Sequence, residues 1–229
     1  LSSELSPQSV VVLISGRGGN MRALVEQSTS PTAAYPPAAY RVSLVLSDQP
    51  NAKGLEIAGG LGIETRTLAA VRAEHRASYD RRLAEVIDAA APSLIVLAGF
   101  MRILSPEFVD RYAGRILNIH PSLLPKFPGL HTHRNVLAAG EPVHGATVHF
   151  VTAELDGGPR IIQASVPVKP GDDESTLAAR VQAVEHQIYP QAVRWYCQGR
   201  LRCRGGMAWL DGAALEEPVQ YGAADGRDR

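Results

Sequence analysis

Hydrophobic positions along the chain fall into short unbroken runs, separated by longer stretches in which apolar residues recur every three or four positions. Residues 9–15 (SVVVLIS), 41–46 (RVSLVL) and 94–98 (LIVLA) are rich in β-branched and aliphatic side chains, the pattern of strands covered on both faces in a parallel sheet. Residues 114–119 (GRILNI) form a further run of this kind, and a short extended segment is expected at 63–68. Helical spacing occupies 21–27, 52–61 and 74–91; in the last, Tyr79, Leu83, Val86 and Ile87 share one side and Pro92 closes the helix. A Pro-rich connection over 28–39, with Pro31, Pro36 and Pro37, separates the first helix from the second strand.

Strands alternating with helices predict an α/β fold, a mainly parallel Rossmann-like twisted sheet flanked by helices. The pattern changes after His144. Residues 146–152 (ATVHFVT) and 160–168 (RIIQASVPV) alternate with no helix between them, which predicts an antiparallel C-terminal extension. A long amphipathic helix follows over 173–196, with Leu177, Val181, Val184, Ile188 and Val193 at helical spacing and Pro190 as the expected point of a kink. A small hairpin is expected from LRC (201–203) to AWL (208–210). The organisation expected is one domain over 9–212, with residues 1–8 a flexible N-terminal tail and 213–229 a loose C-terminal one.

Charge narrows the function classes. The 23 basic and 23 acidic residues cancel, so there is no basic excess of the kind that grips nucleic acid, and any phosphate is expected to be held by a few local donors. No apolar run approaches the ~20 residues that span a bilayer. The first ten residues have no basic segment followed by an apolar core, and Cys197 and Cys203 read as two reduced thiols rather than a zinc site or a disulfide. A cytoplasmic protein without membrane or nucleic-acid partners is expected.

Candidate chemistry sits at three places. Gly16-Arg17-Gly18-Gly19-Asn20 joins a buried strand to a helix, where unpaired N–H groups and the positive end of the helix dipole suit a phosphate. It matches neither GxGxxG nor a Walker loop, and a purely structural tight turn is the competing reading. Asn118 and His120 lie two apart at the end of a strand and so project to one face, where open α/β sheets place ligands. An amide donor beside an imidazole suits acyl transfer, although a histidine beside a proline is often structural. Glu154-Leu155-Asp156-Gly157-Gly158 is good turn chemistry, and Asp156 on such a turn is also able to orient a histidine. Five of the seven histidines fall between His120 and His149, but His131-Thr132-His133 lies in a Gly-rich connection without further ligands at metal spacing, so no metal is expected.

Residues 11–20 (VVLISGRGGN), 98–106 (AGFMRILSP), 118–133 (NIHPSLLPKFPGLHTH) and 144–158 (HGATVHFVTAELDGG) together resemble the phosphoribosylglycinamide formyltransferase family, over roughly residues 9–212. The resemblance implies transfer of a formyl group from 10-formyltetrahydrofolate, a cosubstrate, to the amine of glycinamide ribonucleotide in purine biosynthesis. It implies no metal cofactor, and a monomer or homodimer. It divides the domain into a nucleotide-binding half (9–110) and a folate-binding, catalytic half (111–212). The family's catalytic residues fall on Asn118, His120 and Asp156. Its folate pocket maps to Arg76, Met101, Arg102, Ile103, Leu104, Val109, Asn118, Thr152, Ala153, Glu154, Leu155 and Asp156. Its ribonucleotide site maps to Gly18, Gly19, Asn20, Gln182 and Glu185. Gly19 is a departure, because relatives usually carry serine there, and a weaker phosphate grip is expected, with Arg17 available to compensate. A formyltetrahydrofolate hydrolase and a non-catalytic nucleotide-binding module are the competing functions. Hydrolases of this kind usually carry histidine where Pro121 stands, and a binding module leaves Asn118, His120 and Asp156 without a role.

Overall fold

The computed structural model describes residues 6–29 and 39–222. The chain forms β1 (Gln8–Ile14), α1 (Gly19–Thr29), β2 (Tyr40–Ser47), α2 (Lys53–Gly60), β3 (Glu64–Thr67), α3 (Arg76–Ala90), β4 (Leu94–Leu97), α4 (Pro106–Arg111), β5 (Ile116–His120), α5 (Thr132–Ala139), β6 (Val143–Phe150), β7 (Arg160–Pro167), α6 (Glu174–Cys197), β8 (Leu201–Arg204), β9 (Met207–Leu210), β10 (Ala213–Ala214) and β11 (Val219–Gln220). Most of the Pro-rich connection lies outside the described residues.

The main sheet runs β11-β7-β6-β5-β4-β1-β2-β3. Strands β3, β2, β1, β4 and β5 are parallel, whereas β6 runs antiparallel to both β5 and β7, as the alternating stretches predicted. The sheet continues without a break from β4 to β5, across the expected division at residue 110. Side-chain alternation in β1 splits the core in two. Val10, Val12 and Ile14 join the apolar side chains of α1 and α6 on one face, while Val11 and Leu13 meet those of α3 and α4 on the other. The strand order reverses direction between β1 and β4, and the C-terminal ends there form the crevice where such sheets take ligands.

Helix α6 passes through Pro190 as one element. Proline lacks the N–H that would bond to the carbonyl four residues earlier. That carbonyl, His186 O, instead accepts from Gln27 Nε2 at 3.1 Å, so the lost helix bond becomes a link to α1. Tyr189 fastens the same helix to the sheet, its hydroxyl lying 2.9 Å from Leu97 O and 3.0 Å from Leu117 O.

Four expectations need correction. Gln8 is not tail, because it opens β1 and its side chain accepts from Ser93 Oγ at 2.7 Å. Residues 213–222 are not a loose tail either. Ala213–Ala214 adds a third strand to the β8–β9 hairpin, and Val219–Gln220 pairs in parallel with β7 once Val219 finds a buried position. Residues 223–229 lie outside the description. Helix α4 went unrecognised despite a Ser-Pro start, in which Ser105 Oγ accepts from Phe108 N and Pro106 opens the helix. His131-Thr132-His133 is not simply connection, since α5 begins at Thr132 with its Thr132 and Val136 side chains buried.

Candidate active site

Strand β5 ends in Asn118-Ile119-His120, and its alternation sends Asn118 and His120 to one face. The carboxylate comes from the turn after β6. Asp156 adopts a left-handed backbone (φ 52°), which aspartate tolerates better than most residues, and Gly158 lets the turn close because a Cβ there would stand 1.8 Å from Phe150 O. Asp156 Oδ2 lies 3.4 Å from His120 Nδ1, with the two side chains 8% and 7% exposed. The same oxygen accepts from Gly129 N at 2.8 Å. His120 Nε2 lies 3.0 Å from Phe127 O, so each ring nitrogen faces an acceptor. The Asp156 carboxylate, distant in the chain, therefore meets the imidazole of β5 and the His149 that holds the Asn118 amide.

His149 was missed by the sequence reasoning. In the antiparallel pairing of β5 with β6 it stands directly opposite Asn118. Its Nε2 accepts from Asn118 Nδ2 at 3.1 Å and its Nδ1 donates to Phe150 O at 2.9 Å. Burial holds its pKa below the ordinary histidine value, with the hydrogen bond to Phe150 O acting the other way, so the neutral ring that this pattern requires is the favoured form. His149 thus fixes the Asn118 amide and leaves that amide a second N–H to offer. Its signal was the alternation of residues 146–152, which could have paired it across to Asn118. Under the following loop, His133 Nδ1 and His144 Nε2 lie 3.0 Å apart, and burial pushes His144 down to about 4.

The expected ribonucleotide residues also converge. Asn20 Nδ2 donates to Glu185 Oε2 at 2.8 Å, and Gln182 closes on Gly19. Burial raises the Glu185 pKa, with the Asn20 bond opposing. Gly18 (φ 78°) must be glycine, since a Cβ would stand 2.6 Å from Gly54 Cα. The expected folate residues occupy two layers. Met101, Ile103 and Leu155 are exposed apolar side chains, Arg102 stacks on the Tyr79 ring at 3.9 Å, and Thr152, Ala153 and Glu154 belong to the turn that carries Asp156. Leu104 and Val109 are buried in the α3–α4 core behind them, and Arg76 is exposed on the first turn of α3. Ser15 Oγ accepts from Met101 N and donates to Asp48 Oδ1, which ties this rim to the end of β1. Among the described residues no group of three or more His, Cys, Asp or Glu side chains is placed to hold a metal ion, and no helix is long and apolar enough to cross a membrane.

An oriented amide, an imidazole and a buried carboxylate at the crevice of a Rossmann-like sheet form a candidate enzyme site whose groups suit acyl chemistry. Residues 8–193 match the family described as formyl transferase. The chain is 52% identical over 217 residues to phosphoribosylglycinamide formyltransferase of Escherichia coli (strain K12), covering 95% of this chain and 99% of that protein. It is 38% identical over 211 residues to the trifunctional purine biosynthetic protein adenosine-3 of Homo sapiens, covering 91% of this chain and 20% of that longer protein. The phosphoribosylglycinamide formyltransferase structure from Coxiella burnetii is similar at a TM-score of 0.86 and 41% identity, covering 93% of this chain and 100% of that one. The chain belongs to the formyl transferase family, in the branch of the phosphoribosylglycinamide formyltransferases.

Proposed function

We propose that this enzyme transfers the formyl group of 10-formyltetrahydrofolate to the amine of glycinamide ribonucleotide, releasing formylglycinamide ribonucleotide and tetrahydrofolate. The observation that carries the reading is the meeting of Asn118, His120 and Asp156 beside an independent ribonucleotide-type site at Gly19, Asn20 and Glu185. The amine attacks the formyl carbon, forming a C–N bond and a tetrahedral oxyanion. Collapse breaks the bond to N10 of the folate, and the proton lost by the amine is the one N10 gains. The free N–H of Asn118 and an N–H of His120 stabilise the oxyanion, a role in which one donor typically accounts for about 10²–10³ in turnover. Asp156 holds His120 in place from its Nδ1 side. The Phe127 carbonyl now occupied by His120 Nε2 is the protein group a substrate oxygen would replace.

Exposed Met101, Ile103 and Leu155 offer apolar surface to a pteridine, and Arg76 offers charge to a glutamate tail. The test is the absorbance change of folate product formation with and without glycinamide ribonucleotide. Ribonucleotide-dependent formation supports transfer; equal formation without it means hydrolysis, and none with it refutes the proposal.

A further inference from the structure

Residues 101–104, which the functional reading gives to the folate, lie between β4 and α4 and form neither helix nor strand. The backbone N–H and C=O groups of Arg102, Ile103 and Leu104 make no hydrogen bond to any described residue. The shape of the segment is therefore set from outside. Its far end is held where Asp80 Oδ2 accepts from Ser105 N at 2.6 Å. Its middle rests on the Tyr79 ring, which lies 3.9 Å below the Arg102 guanidinium. The near end is held by Ser15 alone. Gly99 turns the chain out of β4 at φ 78°, and Ser15 grasps it on both sides of Phe100: its N–H donates to Gly99 O at 3.1 Å and its Oγ accepts from Met101 N at 2.8 Å. A serine hydroxyl is free to rotate, but this one donates to Asp48 Oδ1 at 2.6 Å, which commits its proton and leaves a lone pair for Met101. Asp48 is buried, and Gln49 Nε2 fixes its other oxygen at 2.9 Å.

We propose that Ser15 and Asp48 are positioning residues for the formyl donor: the buried carboxylate sets the hydroxyl, and the hydroxyl sets the start of the 101–104 segment. The inference rests on the functional reading above and deepens it, because it assigns two side chains outside the expected folate pocket to folate affinity. They act through Met101 N, not on the reacting atoms. A segment kept in one conformation binds without an ordering cost, and a segment released at one end is competent for only a fraction of the time, which weakens apparent affinity by that fraction. The glycine-rich turn is tied down separately, by Gly54 N donating to Gly16 O at 3.0 Å, so freeing Met101 leaves the ribonucleotide residues in place.

The test measures both KM values, kcat and the melting temperature of wild type, Ser15→Ala, Asp48→Ala, Asp48→Asn and the Ser15→Ala/Asp48→Ala double variant. Ser15→Ala is expected to raise KM for 10-formyltetrahydrofolate about tenfold, the scale of one hydrogen bond, with KM for glycinamide ribonucleotide within about twofold of wild type. Asp48→Ala, which frees the hydroxyl without removing it, gives about fivefold. Asp48→Asn keeps an oxygen for Ser15 and recovers most of that loss. The double variant is no worse than Ser15→Ala, since both residues act through one hydrogen bond. Calorimetric titration with tetrahydrofolate alone shows the same loss of affinity in Ser15→Ala. An unchanged folate KM in folded Ser15→Ala, a rise shared equally by both substrates, an Asp48→Asn as impaired as Asp48→Ala, or an additive double variant overturns the inference. Tetrahydrofolate affinity that depends on Ser15, in a protein that does not formylate the ribonucleotide, upholds the positioning role and overturns the functional reading instead.

Discussion

Replacing Asp156 by asparagine removes a formal charge from the site while preserving its shape. Residue 156 sits at φ 52°, a region asparagine tolerates as readily as aspartate, so the backbone has no reason to move. The amide oxygen can still accept from Gly129 N, and the folding loss is expected near 1 kcal/mol, a melting shift of about 2–4 °C. The catalytic loss is larger. At the 3.4 Å separation of Asp156 Oδ2 and His120 Nδ1, with an effective dielectric constant of about 20, the attraction between carboxylate and imidazolium is about 5 kcal/mol. The asparagine dipole restores part of this, leaving about 3–4 kcal/mol, or roughly 10²–10³ in kcat. Steady-state kinetics by folate absorbance, alongside a melting curve, measures both effects. A variant that stays folded with kcat within threefold of wild type would refute the reasoning.

Other outcomes follow from the same geometry. His149→Ala releases the Asn118 amide and is expected to lower kcat about tenfold while leaving KM for the ribonucleotide unchanged, since His149 touches Asn118 rather than the Gly19 cleft; a larger effect on KM than on kcat would contradict this. Tyr189→Phe strands the carbonyls of Leu97 and Leu117 beneath α6 and is expected to cost about 1–3 kcal/mol in urea unfolding, whereas an unchanged midpoint would show that they find other donors. Gly158→Ala drives a Cβ against Phe150 O, and about 1–3 kcal/mol of stability should be lost together with turnover, because the turn also carries Asp156. Acid should destabilise the fold through His144. Its folded pKa is about 4 against an ordinary 6.5, so the unfolded chain takes up a proton that the native state refuses, and stability present above pH 6.5 is lost as pH falls toward 4. Burial shifts His133, His149 and His186 in the same direction. The His144 share is at most about 3 kcal/mol, and His144→Gln should flatten the pH dependence of urea unfolding between pH 7 and 4.5; an unchanged slope would contradict it.

Much of the architecture was legible because its strands are buried on both faces. Val10 to Ile14 and Leu94 to Leu97 are unbroken apolar runs for that reason, and Leu177, Val181 and Ile188 show the stripe of a helix lying on a sheet. Elements of only a few residues escaped. Helix α4 is six residues long, too short for periodicity, although Ser105-Pro106 marked its start. The pairing of Val219–Gln220 with β7 depends on a long-range contact that two residues cannot announce. At the site, residue types and strand alternation placed Asn118 and His120 together, but Asp156 needed the turn geometry to bring it across. His149 emerged only from the register between β5 and β6. Gln182 stands beside Gly19 only in the fold, 163 residues further along the chain, a proximity that spacing does not announce.

The central claim is that Asn118, His120 and Asp156 enclose one reacting carbon. A crystal structure with a folate analogue bearing a hydrated aldehyde in place of the formyl group tests it most directly. The account predicts one hydrate oxygen within hydrogen-bond reach, about 3 Å, of both Asn118 Nδ2 and a His120 nitrogen, with Asp156 still against the imidazole. A hydrate seated away from Asn118, or an Asp156 turned out of contact with His120 in the occupied site, would contradict it.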